Sequence, residues 1–295
     1  MTHTTSATAA PAGRKPSDDE LDVYGLTHTG RVRKTNQDHF LICSLRKQML
    51  VHLTSLPNLE HLPVLAERLA FLAVVADGVG GSAGGETASR LAVEVVTRYV
   101  AHGMQCYYAA HGTGDDAFLS SLQDAAMQCH EEILALGTEQ PELDGMATTL
   151  TLWLGVWPRG YLLQVGDSRC YVLHEGELTQ ISRDQTMAQE LVDAGVLARD
   201  DAHRTRWAHT LSSAIGGRQA APVVTRVDTQ WGNVGLLCSD GLTAHVSDAK
   251  IRERLLHMTS ARQVCEALLQ DALEGGGTDN ITILVGRTIR KHAEF

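Results

Sequence analysis

Eight apolar residues stand in a row at positions 69–76, LAFLAVVA, with the β-branched pair Val74 and Val75 among them. An unbroken apolar run of this length predicts a buried strand. The run stops on Asp77, and glycines crowd the positions that follow, at 78, 80, 81, 84 and 85. Past the glycines, apolar residues recur at Ala88, Leu91, Ala92, Val95, Val96 and Tyr99, which predicts a helix over about 86–101. A second apolar stripe, Phe118, Leu122, Ala125, Cys129, Ile133 and Leu136, predicts another helix, with 103–115 as the loop between them. The period then drops to two. Leu150, Leu152, Leu154 and Val156 alternate with Thr149, Thr151, Trp153 and Gly155, the pattern of a strand. Further strands are predicted at 22–26, 40–45, 161–165, 170–173, 178–181, 223–228, 234–238 and 281–285, with a hairpin turn at Glu175-Gly176. Helical patterns return at 187–196 and behind two candidate N-caps, Ser247 and Ser260.

Between these elements the pattern weakens. Residues 1–20, rich in Thr, Ala, Ser and Pro, are expected to form a disordered tail. Residues 21–290 read as one domain, with an insertion near 47–67 and a polar, basic, glycine-ended stretch at 198–217 expected to be a mobile flap rather than core.

Composition narrows the function. A net charge of −10 argues against a nucleic-acid or anionic-membrane surface and suits a chain that gathers carboxylates for hard cations. The six cysteines form no Cys-x-x-Cys pair, so free thiols in a reducing, cytoplasmic setting are expected. The 14 histidines show no zinc spacing and read as surface or packing residues. No apolar run is long enough to span a membrane, and the first residues lack the apolar core of a signal peptide.

The candidate chemistry lies at the strand ends. Asp77, Asp240 and Asp279 each abut a glycine-rich turn and an apolar strand; Asp38 precedes a strand and Asp167 follows one behind Gly166. Any one of them could be an ordinary turn or a helix cap. The glycines after Asp77 fit neither a Walker loop, which needs a lysine, nor a dinucleotide loop, since Ala83 takes the third glycine's place. Carboxylates gathered at sheet ends repel one another, and divalent cations relieve that repulsion. All-oxygen ligands favour Mg²⁺ or Mn²⁺ over Zn²⁺.

Six short motifs follow in order: Gly30-x-Val32-Arg33-x-x-Asn36-Gln37-Asp38, Asp77-Gly78-Val79-Gly80-Gly81, Gly145-Met146-Ala147-Thr148-Thr149, Gly166-Asp167-Ser168-Arg169, Ser239-Asp240-Gly241-Leu242 and Thr278-Asp279-Asn280-Ile281-Thr282. Together they resemble the metal-dependent type 2C serine/threonine protein phosphatases in their bacterial form, over about 22–287. The resemblance implies an α+β fold, a four-layer α/β/β/α sandwich with two central antiparallel sheets. It implies two bridged Mn²⁺ or Mg²⁺ ions, with Asp77 between them and the Gly78 carbonyl on one. Asp240 and Asp279 would hold the other, and Asp38 would bind directly or through water. Arg33 would clamp the substrate phosphate, and Asp167 matches a ligand of a third, weaker ion. A water between the two ions would attack phosphorus in line, with no phosphoenzyme. The implied partners are phosphorylated proteins and a cognate serine/threonine kinase, and the implied state is a monomer.

The chain departs from the family pattern in four places. Ala244 stands where a second aspartate for the third ion is common, Ser82 where bacterial members usually carry histidine, and Gln37 where glutamate is usual. Val79 stands where bacterial members often carry methionine and animal forms a histidine proposed as general acid. A phosphatase-like module that binds phosphoproteins without turnover, or a hydrolase of small phosphate esters, remains open on the sequence.

Overall fold

The computed structural model describes residues 13–47, 67–80, 83–109, 115–202 and 204–291. In chain order the elements are β1 (Leu21–His28), β2 (Asp38–Lys47), β3 (Glu67–Val79), α1 (Ala83–Ala109), α2 (Asp115–Glu139), β4 (Ala147–Thr148), β5 (Leu150–Val156), β6 (Arg159–Val165), β7 (Arg169–His174) and β8 (Glu177–Gln180). There follow α3 (Met187–Asp193), α4 (Arg199–Ala202), β9 (Val223–Asp228), β10 (Val234–Cys238), α5 (Asp240–Thr243), α6 (Asp248–Leu256), α7 (Ala261–Glu274) and β11 (Ile281–Thr288). One antiparallel sheet runs β1-β11-β10-β7-β8, and the other β2-β3-β5-β6-β9 with β4 beside β3.

The alternation along β3 explains why its sequence is apolar without a break. Leu72, Val74 and Ala76 pack against Ala88, Ala92 and Val96 of α1 and Cys129 and Ile133 of α2. Ala73 and Val75 point the other way, onto Leu162, Cys170, Leu237 and Leu284 between the sheets. Both faces of the strand are therefore covered, so neither can be polar. On the far side, Leu236, Cys238 and Ile283 meet Ile251 and Leu255 of α6 and Val264 and Leu268 of α7. Each fully buried side chain of this size contributes roughly 1.5–3 kcal/mol. The layers run α/β/β/α, as the resemblance implied. Ser247 and Ser260 cap α6 and α7, each accepting from the backbone N–H three residues on. Glu175 and Gly176 both have positive φ, 48° and 84°, which matches the twist of the β7–β8 hairpin.

Several boundaries differ from expectation. β3 continues through Asp77, Gly78 and Val79, because Gly78 and Val79 pair with Thr148 and Ala147 of β4. Gly84 and Gly85, expected in a turn, belong to the first turn of α1. A Cβ on Gly78 would lie 2.3 Å from the Gly85 carbonyl oxygen, so these glycines let the helix start rest on the strand end. α1 runs on to Ala109, through residues expected in a loop.

The expected disorder of 1–20 does not extend through 13–20. Glu20 is buried and accepts both terminal guanidinium nitrogens of Arg14, and Arg68 donates to Asp18. The rest of that tail, like most of the expected 47–67 insertion, lies outside the described residues. The stretch 198–217 divides. Its first part holds α4 and turns, but Ser213, Ala214 and Ile215 are buried, and Ile215 bridges Thr148 through paired backbone hydrogen bonds. That latter half is core, because it fills the space beside β4.

Candidate metal centre

Strand register begins the site. Asp38 opens β2 and stands directly opposite Asp77 on β3. Asp167 lies in the turn between β6 and β7, Asp240 begins α5 right after β10, and Asp279 immediately precedes Asn280 and β11. All five meet at one end of the sandwich. Burial pushes the Asp77 carboxyl well above the usual range, and the neighbouring Asp38, Asp240, Asp167 and Asp279 carboxylates push it further. Burial and Asp240 raise Asp167 to about 8. Asp38 is raised to about 6 by burial, against the pull of two hydroxyls.

Those hydroxyls tie the sheets together at the site. Ser239 Oγ and Thr282 Oγ1, both from the β1-β11-β10 sheet, donate to Asp38 Oδ2 at 2.8 and 2.7 Å. Thr282 Oγ1 also lies 2.8 Å from Thr27 Oγ1, which accepts from Asn36 Nδ2. Because the Thr282 proton goes to the carboxylate, Thr27 is the donor in that pair. Asn280 fastens the 29–37 loop: Oδ1 accepts from Gln37 N, and Nδ2 donates to the carbonyls of Thr29 and Thr35. Arg33 rides on this loop and grips Asp279 bidentately, Nε to Oδ1 at 2.8 Å and Nη2 to Oδ2 at 2.6 Å. His209, from the 198–217 stretch, places Nδ1 3.8 Å from Asp240 Oδ2. That contact raises its pKa, opposed by partial burial.

A family model described as protein phosphatase 2C matches residues 62–275. The chain belongs to the protein phosphatase 2C family. It is 37% identical over 223 residues to the serine/threonine protein phosphatase PstP of Mycobacterium tuberculosis, covering 75% of this chain and 41% of PstP. It thus spans about two-fifths of the length of that relative. The serine/threonine phosphatase stp of Listeria monocytogenes is 27% identical over 260 residues, 88% of this chain and 92% of stp. The crystal structure of M. tuberculosis PstP matches at a TM-score of 0.72 and 32% identity, covering 92% of this chain and 99% of that one. A structure of the PstP catalytic domain in complex with two manganese ions matches at 0.69 and 33% identity, with the same coverage.

In this phosphatase 2C chain, the donor set suits hard divalent cations on one direct observation. Asp38 Oδ1 is buried without a hydrogen-bond partner and belongs to a carboxyl that adjoins Asp77. A buried acceptor among like charges is costly until a cation meets it. Among the described residues no three acidic or imidazole groups form a ready-made ligand set. Instead Asp38 turns one oxygen to Ser239 and Thr282, Asp279 turns to Arg33, and Asp240 to His209. The carboxylates share one end of the sandwich, and to hold a cation their side chains would have to turn toward it.

Sequence reasoning assigned no role to Ser239, Thr282, Asn280 or His209. Ser239, Thr282 and Asn280 lie inside the quoted motifs. His209 had no local signal, since only the path of its segment brings it near Asp240.

Proposed function

We propose that this chain is a metal-dependent hydrolase of phosphoserine and phosphothreonine in proteins. The observation that carries the reading is the convergence of five carboxylates around Asp77, with an arginine on their rim. Asp77, the Gly78 carbonyl, Asp38, Asp240 and Asp279 would hold two Mn²⁺ or Mg²⁺ ions, and Asp167 a weaker third without help from Ala244. When bound, such ions supply an activated water near neutral pH and offset charge on a phosphoryl group. Arg33 uses its Nε edge on Asp279, which leaves the other edge of the guanidinium for a phosphate oxygen. Thr282 and Ser239 hold Asp38 in place, and Asn280 holds the Arg33 loop. Ser239 is fully buried with its hydroxyl donated to Asp38, out of reach of a substrate phosphate, and the family resemblance implies water as the attacking group.

The family resemblance implies a monomer as the working unit. Cys43, Cys129, Cys170, Cys238 and Cys265 are free thiols, which supports the cytoplasm as the compartment. Among the described residues no helix is long and apolar enough to cross a membrane. The natural counterpart would be a cytoplasmic serine/threonine kinase. The test is Mn²⁺-dependent hydrolysis of a phosphothreonine peptide, with Asp77→Asn and Asp240→Asn as controls. Turnover well above both controls is expected. Binding of the phosphopeptide without turnover at saturating Mn²⁺ would replace this reading with that of a binding module.

A further inference from the structure

At the end of the sandwich away from the carboxylates, the two sheets part around an apolar cavity of about 160 Å³. Its floor is the inter-sheet core: Ala73, Cys170, Leu237 and Leu284. The hollow is written into the strands. Trp153, Leu237 and Leu284 pack between the sheets, so residues two positions away occupy the same face. Toward the far end, those residues are Gly155, Gly235 and Gly286, and Gly235 stands opposite Gly286 in the ladder. Crowding does not demand glycine at two of the three. A Cβ at Gly155 would meet nothing nearer than 3.5 Å, and one at Gly235 nothing nearer than 3.8 Å. At Gly160, by contrast, a Cβ would lie 2.3 Å from the Trp153 ring. Two strands, β5 and β10, thus withhold side chains where there is room for them.

Residues 13–16 run along one side of the mouth, where Lys15 and Pro16 line the cavity. This segment is pinned mostly by polar contacts. Trp157 Nε1 donates to the Gly13 carbonyl at 2.9 Å, and Trp231 Nε1 to the Arg14 carbonyl at 3.1 Å. Arg68 donates to Asp18 and the Pro16 carbonyl, and Lys15 to the Arg68 carbonyl. The third cation at the wall, Arg287, is held by Asp22. With these cations engaged and the walls largely apolar, the site suits no anion.

We propose that this cavity is a binding site for a small apolar molecule, of the size of one aromatic ring or a short branched chain, flanked on the solvent side by Lys15 and Pro16. An apolar cavity of about 150 Å³ is large enough to hold benzene or xenon. A ligand there would bridge the two sheets and stabilise the folded chain by mass action.

Toluene is a suitable probe for the full chain, read by thermal unfolding and by tryptophan fluorescence. Of the four tryptophans, Trp153 and Trp157 line the cavity and Trp231 packs on Trp157. A saturable fluorescence change and a dose-dependent rise in Tm are expected. Gly235→Val places a side chain in the hollow and should weaken toluene binding about tenfold or more. Gly155→Ala, a smaller intrusion, should weaken it less and serves if the valine variant does not fold. No saturable response in the wild-type chain would overturn the proposal. So would undiminished binding in a folded variant, since toluene would then sit elsewhere.

Discussion

Replacing Asp38 by asparagine should stabilise the metal-free protein. Asp38 is 3% exposed, and burial pushes its carboxyl from 3.8 up to about 6. Holding it ionised in the folded chain above that pH costs about 3 kcal/mol, since each tenfold change in proton affinity is worth 1.36 kcal/mol. Between pH 3.8 and about 6 the folded state binds more protons than the unfolded one. Stability contributed at this site therefore falls as pH rises through that window and is level above it. Asparagine carries no charge to desolvate. Its carbonyl still accepts from Ser239 and Thr282, and its amide can occupy the place where Oδ1 has no partner. Urea unfolding in EDTA at about pH 7.5 should show Asp38→Asn more stable by up to about 3 kcal/mol, a gain that shrinks toward zero near pH 4. Added Mn²⁺ should stabilise the wild type and do so much less for the variant. A variant less stable than the wild type in EDTA at the higher pH, or one whose gain persists unchanged in acid, would refute the account of a strained, cation-seeking carboxylate.

Three further outcomes follow from the same packing. Thr282→Val removes the 2.7 Å bond to Asp38 with little change of shape. A hydrogen bond to a charged group is worth about 1.5–3 kcal/mol, so calorimetric Mn²⁺ affinity should fall roughly ten- to hundredfold. Gly241→Ala would put a Cβ 1.9 Å from the Asn280 carbonyl oxygen, where backbone must move. It should cost about 3 kcal/mol or more in urea unfolding and disturb the Asp279 loop. Burial pushes the thiols of Cys129, Cys238 and Cys265 up to about 12. Iodoacetamide at about pH 8 should leave these three unmodified in native protein and label them in urea, read by mass spectrometry.

Much of this architecture was already audible in the residues. The unbroken run before Asp77 announced a strand covered on both sides, and Ser247 and Ser260 announced their helices, because burial and capping are local demands on composition. The ordered aspartates announced the carboxylate cluster and the family. Other features depended on neighbours distant in the chain. β3 outlasts its apolar run because β4 supplies partners for Gly78 and Val79. Ile215 is core because Thr148 takes its backbone, in a stretch whose composition suggested a flap. Ser239 and Thr282 look like ordinary strand-end hydroxyls until two sheets bring both to one oxygen of Asp38. Periodicity and charge act over a few residues and can be read in order along the chain. A hydrogen bond between sheets, the mutual repulsion of five carboxylates and the hollow left by glycines on adjoining strands exist only once the layers have closed.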